Sequence, residues 1–120
     1  VNHMSGKPIY QEIADELRDM ISSGALAPGD RVPSTNELSA YHSVNPTTSA
    51  KALTEIFNEG LVEKRRGLGM FVLDSARQQL LNSRRNAFQE RFVQPFVHEA
   101  DQLGLSTAEL TAMIEKERTK

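Results

Sequence analysis

Cysteine is absent from the 120 residues, which excludes disulfides, thiolate metal sites and a cysteine nucleophile. No apolar run approaches the ~18 residues needed to cross a bilayer, and the N-terminus lacks a basic segment followed by an apolar one. These absences point to a soluble, cytoplasmic protein with no membrane partner. Histidine is scarce: His3, His42 and His98 are scattered and form no ligand pair at helical spacing. His98-Glu99 with Asp101 could be imagined as a metal or effector site. Neighbours one and three residues apart do not all face one way on a helix, however, so a solvated charged face is the better reading. No metal or cofactor is expected. Val1-Asn-His-Met4 looks like a cloning remnant ahead of a natural Met4 and is left out of the fold.

Excess positive charge is missing too. The chain has 14 Lys and Arg against 16 Asp and Glu, a net charge of −2. A protein coated in nucleic-acid-binding charge would be basic, so any such footprint must be local. Glu12, Asp15, Glu16 and Asp19 crowd the first helical stretch around Arg18, whereas Lys64-Arg-Arg66 is the densest basic cluster. Few phosphates can be neutralised per copy, which makes a monomer a weak binder and points toward dimers. At this length the chain is one domain, or a domain with an appendage.

What is present is organised around residues 32–53. Ser34 is an N-cap type with Glu37 three residues later, the spacing of a capping box. Asn45 is a second favoured cap, and Pro46 suits the first helical position. Gly60 is placed to end that second helix. Only Tyr41-His-Ser-Val-Asn45 lies between, which is turn length, so the stretch reads as a helix-turn-helix. At 100° per residue, Ser49, Ala52, Leu53, Ile56 and Gly60 share one side of the second helix. Thr47, Lys51, Thr54 and Asn58 cluster opposite. Hydroxyls, an amide and a cation can reach base edges and phosphates.

Upstream, Pro8 opens a helix with apolar positions Ile9, Ile13, Leu17, Met20 and Ile21, and Gly24 stops it. Pro28-Gly-Asp30 is a turn by composition, with Leu26 and Val32 reaching inward. Leu38 and Val44 add core contacts. After Gly60 the period changes: Leu61–Arg65 and Met70–Leu73 are strand-like runs separated by Arg66-Gly-Leu-Gly69, a β-hairpin with a glycine-bearing loop. A hairpin directly after a helix-turn-helix is a wing, and its basic residues could meet phosphate or the minor groove. Taken alone, Lys64-Arg-Arg66 could also be a charged edge protecting an exposed strand.

Residues 8–72 resemble the DNA-binding domain of the GntR family of bacterial transcription regulators. The resemblance rests on Pro8-Ile-Tyr-Gln-Glu-Ile13, Leu26-Ala-Pro-Gly-Asp-Arg-Val-Pro-Ser34, Leu38, Val44, Thr47-Thr48, Ala52-Leu53, Gly60-Leu61 and Arg66-Gly-Leu-Gly-Met-Phe-Val72. It implies a winged helix-turn-helix with the recognition helix in the major groove of an operator duplex and the wing against the minor groove. Thr47, Thr48 and Lys51 carry over as helix contacts, Arg65, Arg66 and Gly67 as wing contacts. Ser34, Asn36 and Asn45 complete the expected DNA-binding set. Asn36 stands where the family usually has Arg, Asn45-Pro46 where it has Ser-Arg, Leu68 where Arg is common, and Ser49 where an apolar residue is usual. Asn-Pro before the threonines is similar to the YtrA subfamily, as is the short tail.

That tail carries Leu80, Leu81, Phe88, Phe92, Phe96, Ala100 and Leu103 as a helical stripe ending at Gly104. Pro95 interrupts it, which predicts a kink near Phe92 or a break into two helices. Ser106 with Glu109 makes another capping box, with Leu105 and Leu110 as its hydrophobic staple, and the last helix carries Leu110, Met113 and Ile114. The expected architecture is mainly α with a small β-hairpin: a winged helix-turn-helix over 8–74, then a short helical dimerisation tail over 75–118. Leu81, Phe88, Phe92, Phe96 and Leu103 are the expected dimer contacts. The corresponding function is a dimeric regulator, a repressor on an inverted-repeat operator, with room for an unidentified small-molecule effector. The alternative is a winged-helix module that binds protein without base readout. Catalysis is disfavoured: no nucleophile–base–orienter set is visible, and Gly67-Leu-Gly69 is too short for a nucleotide fingerprint.

Overall fold

The computed structural model describes residues 6–120; the remnant reading of Val1–Met4 and the placement of His3 lie outside them. Helix α1 (Ile9–Ser23) follows Pro8 and ends at Gly24, whose φ of 90° lets its N–H return to the Ile21 carbonyl. Helix α2 (Thr35–His42) begins at the expected capping box. The Glu37 N–H donates to Ser34 Oγ at 3.1 Å, and the Ser34 N–H donates to Glu37 Oε1 at 2.9 Å. Helix α3 (Pro46–Asn58) has Asn45 at its cap, accepting from the Thr48 N–H at 3.0 Å, and Pro46 in the first turn.

The turn between α2 and α3 is shorter than the sequence suggested. Helix α2 runs on to His42, and Ser43 reverses the chain with a φ of 55°. A left-handed backbone is unusual for a residue with a Cβ. Here the Val44 N–H closes the turn onto the Ser39 carbonyl at 3.1 Å. Ser49, the polar residue on the inner side of α3, is fully buried and satisfied, its Oγ lying 2.8 Å from Ser39 Oγ on α2. A buried hydroxyl without such a partner would be costly.

One core joins these helices. Ile13, Ala14, Leu17 and Ile21 of α1 meet Leu38 of α2 and Ala52, Leu53 and Ile56 of α3, with Leu26 and Val32 buried beside them as expected. Ile9, Met20 and Val44 are only partly buried. Strands β1 (Val62–Arg65) and β2 (Gly69–Val72) pair antiparallel, with Val62 opposite Val72 and Arg65 opposite Gly69. The segment after the Pro28 turn adds to β2: Arg31 bridges Phe71, and the Val32 N–H donates to the Met70 carbonyl at 2.8 Å.

Helix α4 (Ala76–Phe88) starts inside this core, because Ala76 and Leu80 are buried in the same cluster. Gln79 Nε2 donates to the Gly60 carbonyl at 3.1 Å. The first compact unit therefore ends at Leu81, and the second comprises Asn82–Lys120. In the second unit a π-helical turn, Gln89–Val93, leads into α5 (Gln94–Gln102). The Gln94 N–H reaches back to the Gln89 carbonyl, five residues earlier. The turn widens just ahead of Pro95, whose ring would crowd the carbonyl four residues before it in a regular helix. Helical structure thus continues through the proline by means of a wide turn and is not broken there. Helix α6 (Thr107–Arg118) opens with the expected Ser106–Glu109 capping box.

Candidate nucleic-acid interface

The outer face of α3 is built by the cap that starts it. Asn45, Thr47 and Lys51 are exposed while Ser49, Ala52, Leu53 and Ile56 face the core, so the helical period divides the two sides as expected. Asn45 Oδ1 accepts from the Thr48 N–H at 3.0 Å and the Thr48 hydroxyl at 3.2 Å. With that oxygen engaged, the Asn45 amino group is what remains to meet an acceptor. Ser34 caps α2 in the same way, its oxygen accepting the Glu37 N–H, but its hydroxyl is turned to the Glu37 carboxylate. A donor left over at the N-terminus of α3 suits a phosphate oxygen. Asn36 is exposed in the first turn of α2.

The wing presents its cations on both faces. Lys64 shares a face with Val62 and Met70 and lies over the Phe57 ring of α3 at 4.4 Å. Arg65 is on the opposite face, over the Phe71 ring at 4.3 Å and 2.9 Å from Glu63 Oε1. Arg66 and Gly67 form the tip with Leu68, all exposed, and Gly67 has a φ of 76° that favours glycine. Arg31 ties the wing to α2: its Nη2 lies 3.0 Å from Glu37 Oε1, and its side chain runs over Gly69, where an added Cβ would make ordinary contact with Arg31 Cδ at 3.4 Å. Glu37 is held below the ordinary 4.5 by the hydrogen bond from the Ser34 backbone, then by Arg31. On α1, Arg18 donates to Glu59 Oε1 at 2.9 Å and pairs with Asp15 and Glu55. Its pKa is raised further by Glu59, so this arginine is bound into the α1–α3 seam.

Pairing separates the cations into two groups. Arg18, Arg31 and Arg65 have carboxylate partners, whereas among the described residues Lys51, Lys64 and Arg66 have none. Lys64 and Arg31 were missing from the expected site. Strand alternation could have placed Lys64 on the Val62 face, toward α3. Arg31 gave only a weak signal, as part of the Pro-Gly-Asp-Arg-Val-Pro-Ser run. The expected dimer residues fall mostly in the second unit: Phe88, Phe92, Phe96 and Leu103 are 58%, 55%, 42% and 64% exposed. The Phe88 and Phe92 ring centroids are 5.6 Å apart. Leu81 closes the first unit and is 37% exposed. Among the described residues no cluster of three His, Asp or Glu could hold a metal, and no helix is long and apolar enough to cross a membrane.

Two capped helices across a tight turn, followed by a cationic hairpin, define a winged helix-turn-helix of the DNA-binding class. Residues 9–72 match the family of bacterial regulatory proteins called gntR, and the chain belongs to this family of transcriptional regulators. It is 33% identical over 106 residues to the HTH-type transcriptional regulator YhcF of Bacillus subtilis, spanning 88% of this chain and 86% of the relative. To the HTH-type transcriptional repressor YtrA of the same organism it is 31% identical over 94 residues, 78% of this chain and 72% of the relative. Among solved structures, a GntR-family regulator from Bacteroides thetaiotaomicron superposes with a TM-score of 0.74 at 26% identity, covering 94% of this chain and 100% of the other. The DNA-binding domain of AraR, solved in complex with its operator ORX1, matches 59% of this chain and 86% of its own length at a TM-score of 0.55 and 28% identity.

Proposed function

We propose that the protein is a dimeric repressor that reads an inverted-repeat operator with α3 and grips the flanking backbone with the wing. The observation that carries this reading is the outer face of α3, where Asn45, Thr47 and Lys51 are exposed above a helix whose other side is core. Thr47 and Lys51, with Thr48 alongside, occupy the first turns of the helix, the part of a recognition helix that contacts base edges. Asn36 and Ser34 add contacts from the start of α2. Arg66 and Lys64 supply wing charge not already neutralised, the Gly67 backbone allows close approach, and Arg65 contributes after exchanging Glu63 for phosphate. The operator complex of AraR and the repressor role of YtrA support the same reading.

The tail supports the dimer. Within Asn82–Lys120 only Ala100 is buried, while Phe88, Phe92, Val93, Phe96, Val97 and Leu103 are all more than a third exposed. A groove of about 600 Å³ lies among Phe88, Phe92, Val93, Phe96, Ile114 and Arg118. A contiguous apolar surface of this kind marks an interaction site, and two-fold pairing is the commonest way to cover it. Pairing would set two recognition helices against half-sites ~34 Å apart, one turn of duplex.

Binding of Lys51→Ala and Lys116→Ala to a duplex selected from a random pool tests the reading. Removing a base contact costs ~1–3 kcal/mol, so Lys51→Ala is expected to bind roughly fivefold or more weakly, while Lys116→Ala, in the tail, stays near the parent. Equal affinities would remove α3 from the interface. Affinity that ignores salt would favour a protein-binding module, because counterion release makes DNA binding fall steeply as salt rises.

A further inference from the structure

Lys51 has a neighbour that it does not use. Glu55 stands four residues further along α3, at the spacing of a helical ion pair. That carboxylate is engaged from α1 instead: Gln11 Nε2 donates to Glu55 Oε2 at 3.0 Å, and Arg18 Nη2 donates to the same oxygen. The Lys51 ammonium rests on an aromatic ring of α1, with Nζ 4.1 Å from the centroid of Tyr10. The two environments have opposite consequences. A carboxylate would neutralise the lysine and would have to be displaced by phosphate or a base. A π face attracts the cation without cancelling its charge and leaves its N–H groups to donate elsewhere. The ring also limits the rotamers of a four-carbon stem, part of whose freedom would otherwise be lost on binding.

We infer that Tyr10 is a positioning residue for DNA recognition: its ring holds the Lys51 ammonium at the outer face of α3, while Gln11 and Arg18 keep Glu55 from pairing with it. Helix α1 is thereby part of the recognition apparatus. The same device recurs in the wing, where Lys64 rests on Phe57; Arg65 lies over Phe71 but is also paired with Glu63. This deepens the assignment of α3 as the recognition helix and rests on it.

The test is a double-mutant cycle on the intact chain, read by fluorescence anisotropy with a duplex that the chain itself enriches from a random pool. Tyr10→Leu is expected to weaken binding about two- to fivefold, the worth of an exposed cation–π contact. Tyr10→Phe, which keeps the ring face, stays near the parent. Once Lys51 is alanine, Tyr10→Leu should add nothing. An undiminished loss from Tyr10→Leu in the Lys51→Ala background overturns the positioning role and leaves the recognition helix intact. Lys51→Ala without any loss removes the recognition helix and the inference together. A readout that needs no variant to fold is the proton spectrum of the free protein: the Lys51 ε-methylene protons should be shifted upfield by the Tyr10 ring current. Unshifted resonances overturn the inference.

Discussion

Glu37 closes the capping box of α2 and also receives the Arg31 guanidinium, and both donors favour its ionised form. A carboxyl depressed in the folded state contributes stability that is present above its unfolded pKa and lost as pH falls through the folded one. Glutamine can close a capping box but cannot pair with arginine. The chain and Glu37→Gln are therefore expected to differ in thermal midpoint at neutral pH and to converge as pH drops below the ordinary 4.5. A difference that persists unchanged into acid would place the role of Glu37 outside its charge. The box itself was legible in the sequence, since Ser34 and Glu37 are three residues apart. The Arg31 partner was not, because it depends on the chain reversing at Pro28–Asp30. Lys51 and Tyr10 are similar: helical angle puts Lys51 outward, but only the packing of α1 on α3 supplies the ring beneath it.

Among elements, the wing and the start of α4 diverge most from what periodicity alone could say. The hairpin and its glycine-bearing loop follow from the residues between Leu61 and Leu73. Which cations stay free does not, because Glu63 lies beside both Lys64 and Arg65 in sequence and pairs with Arg65 alone across the strand face. Lys64→Ala with Arg66→Ala is accordingly expected to weaken selected and random duplexes alike and to flatten the salt slope by about one for each phosphate the wing no longer neutralises. Arg65→Ala should flatten it less. A double variant that weakened only selected-duplex binding would give the wing a role in base readout. Leu80 fits the tail stripe by period, yet it is 8% exposed in the winged core. A helical stripe shows that a face is apolar and is silent about its partner. Leu80→Ala is expected to lower the stability of the winged unit by about 2–3 kcal/mol in denaturant titration. Less than ~0.5 kcal/mol, the usual effect of a surface substitution, would place Leu80 outside that core.

For the whole molecule, a net charge of −2 and a handful of unpaired cations are expected to make one copy a poor ligand for DNA, and in the proposed dimer the tail would raise the effective concentration of the second copy. Such a dimer would depend on the apolar rings of the two tails meeting. Phe88, Phe92 and Phe96 are spaced by four, a spacing that overshoots one α-helical turn by about 40° at every step. The π-turn at Gln89–Val93 advances each residue through a smaller angle and so takes back part of that overshoot between the first ring and the second. In the proposed dimer the wide turn would bring the phenylalanines closer to one line, and Pro95, whose ring a regular helix would crowd, would favour it. Replacing the proline removes the reason for the wide turn. Pro95→Ala should let the segment close into regular helix at unchanged length and swing everything after it by up to roughly 100° relative to Phe88. Circular dichroism should show helix content kept or raised, while sedimentation shows a monomer. A Pro95→Ala variant that gains helix and still sediments as a dimer would mean that the rings after the turn are not part of the contact.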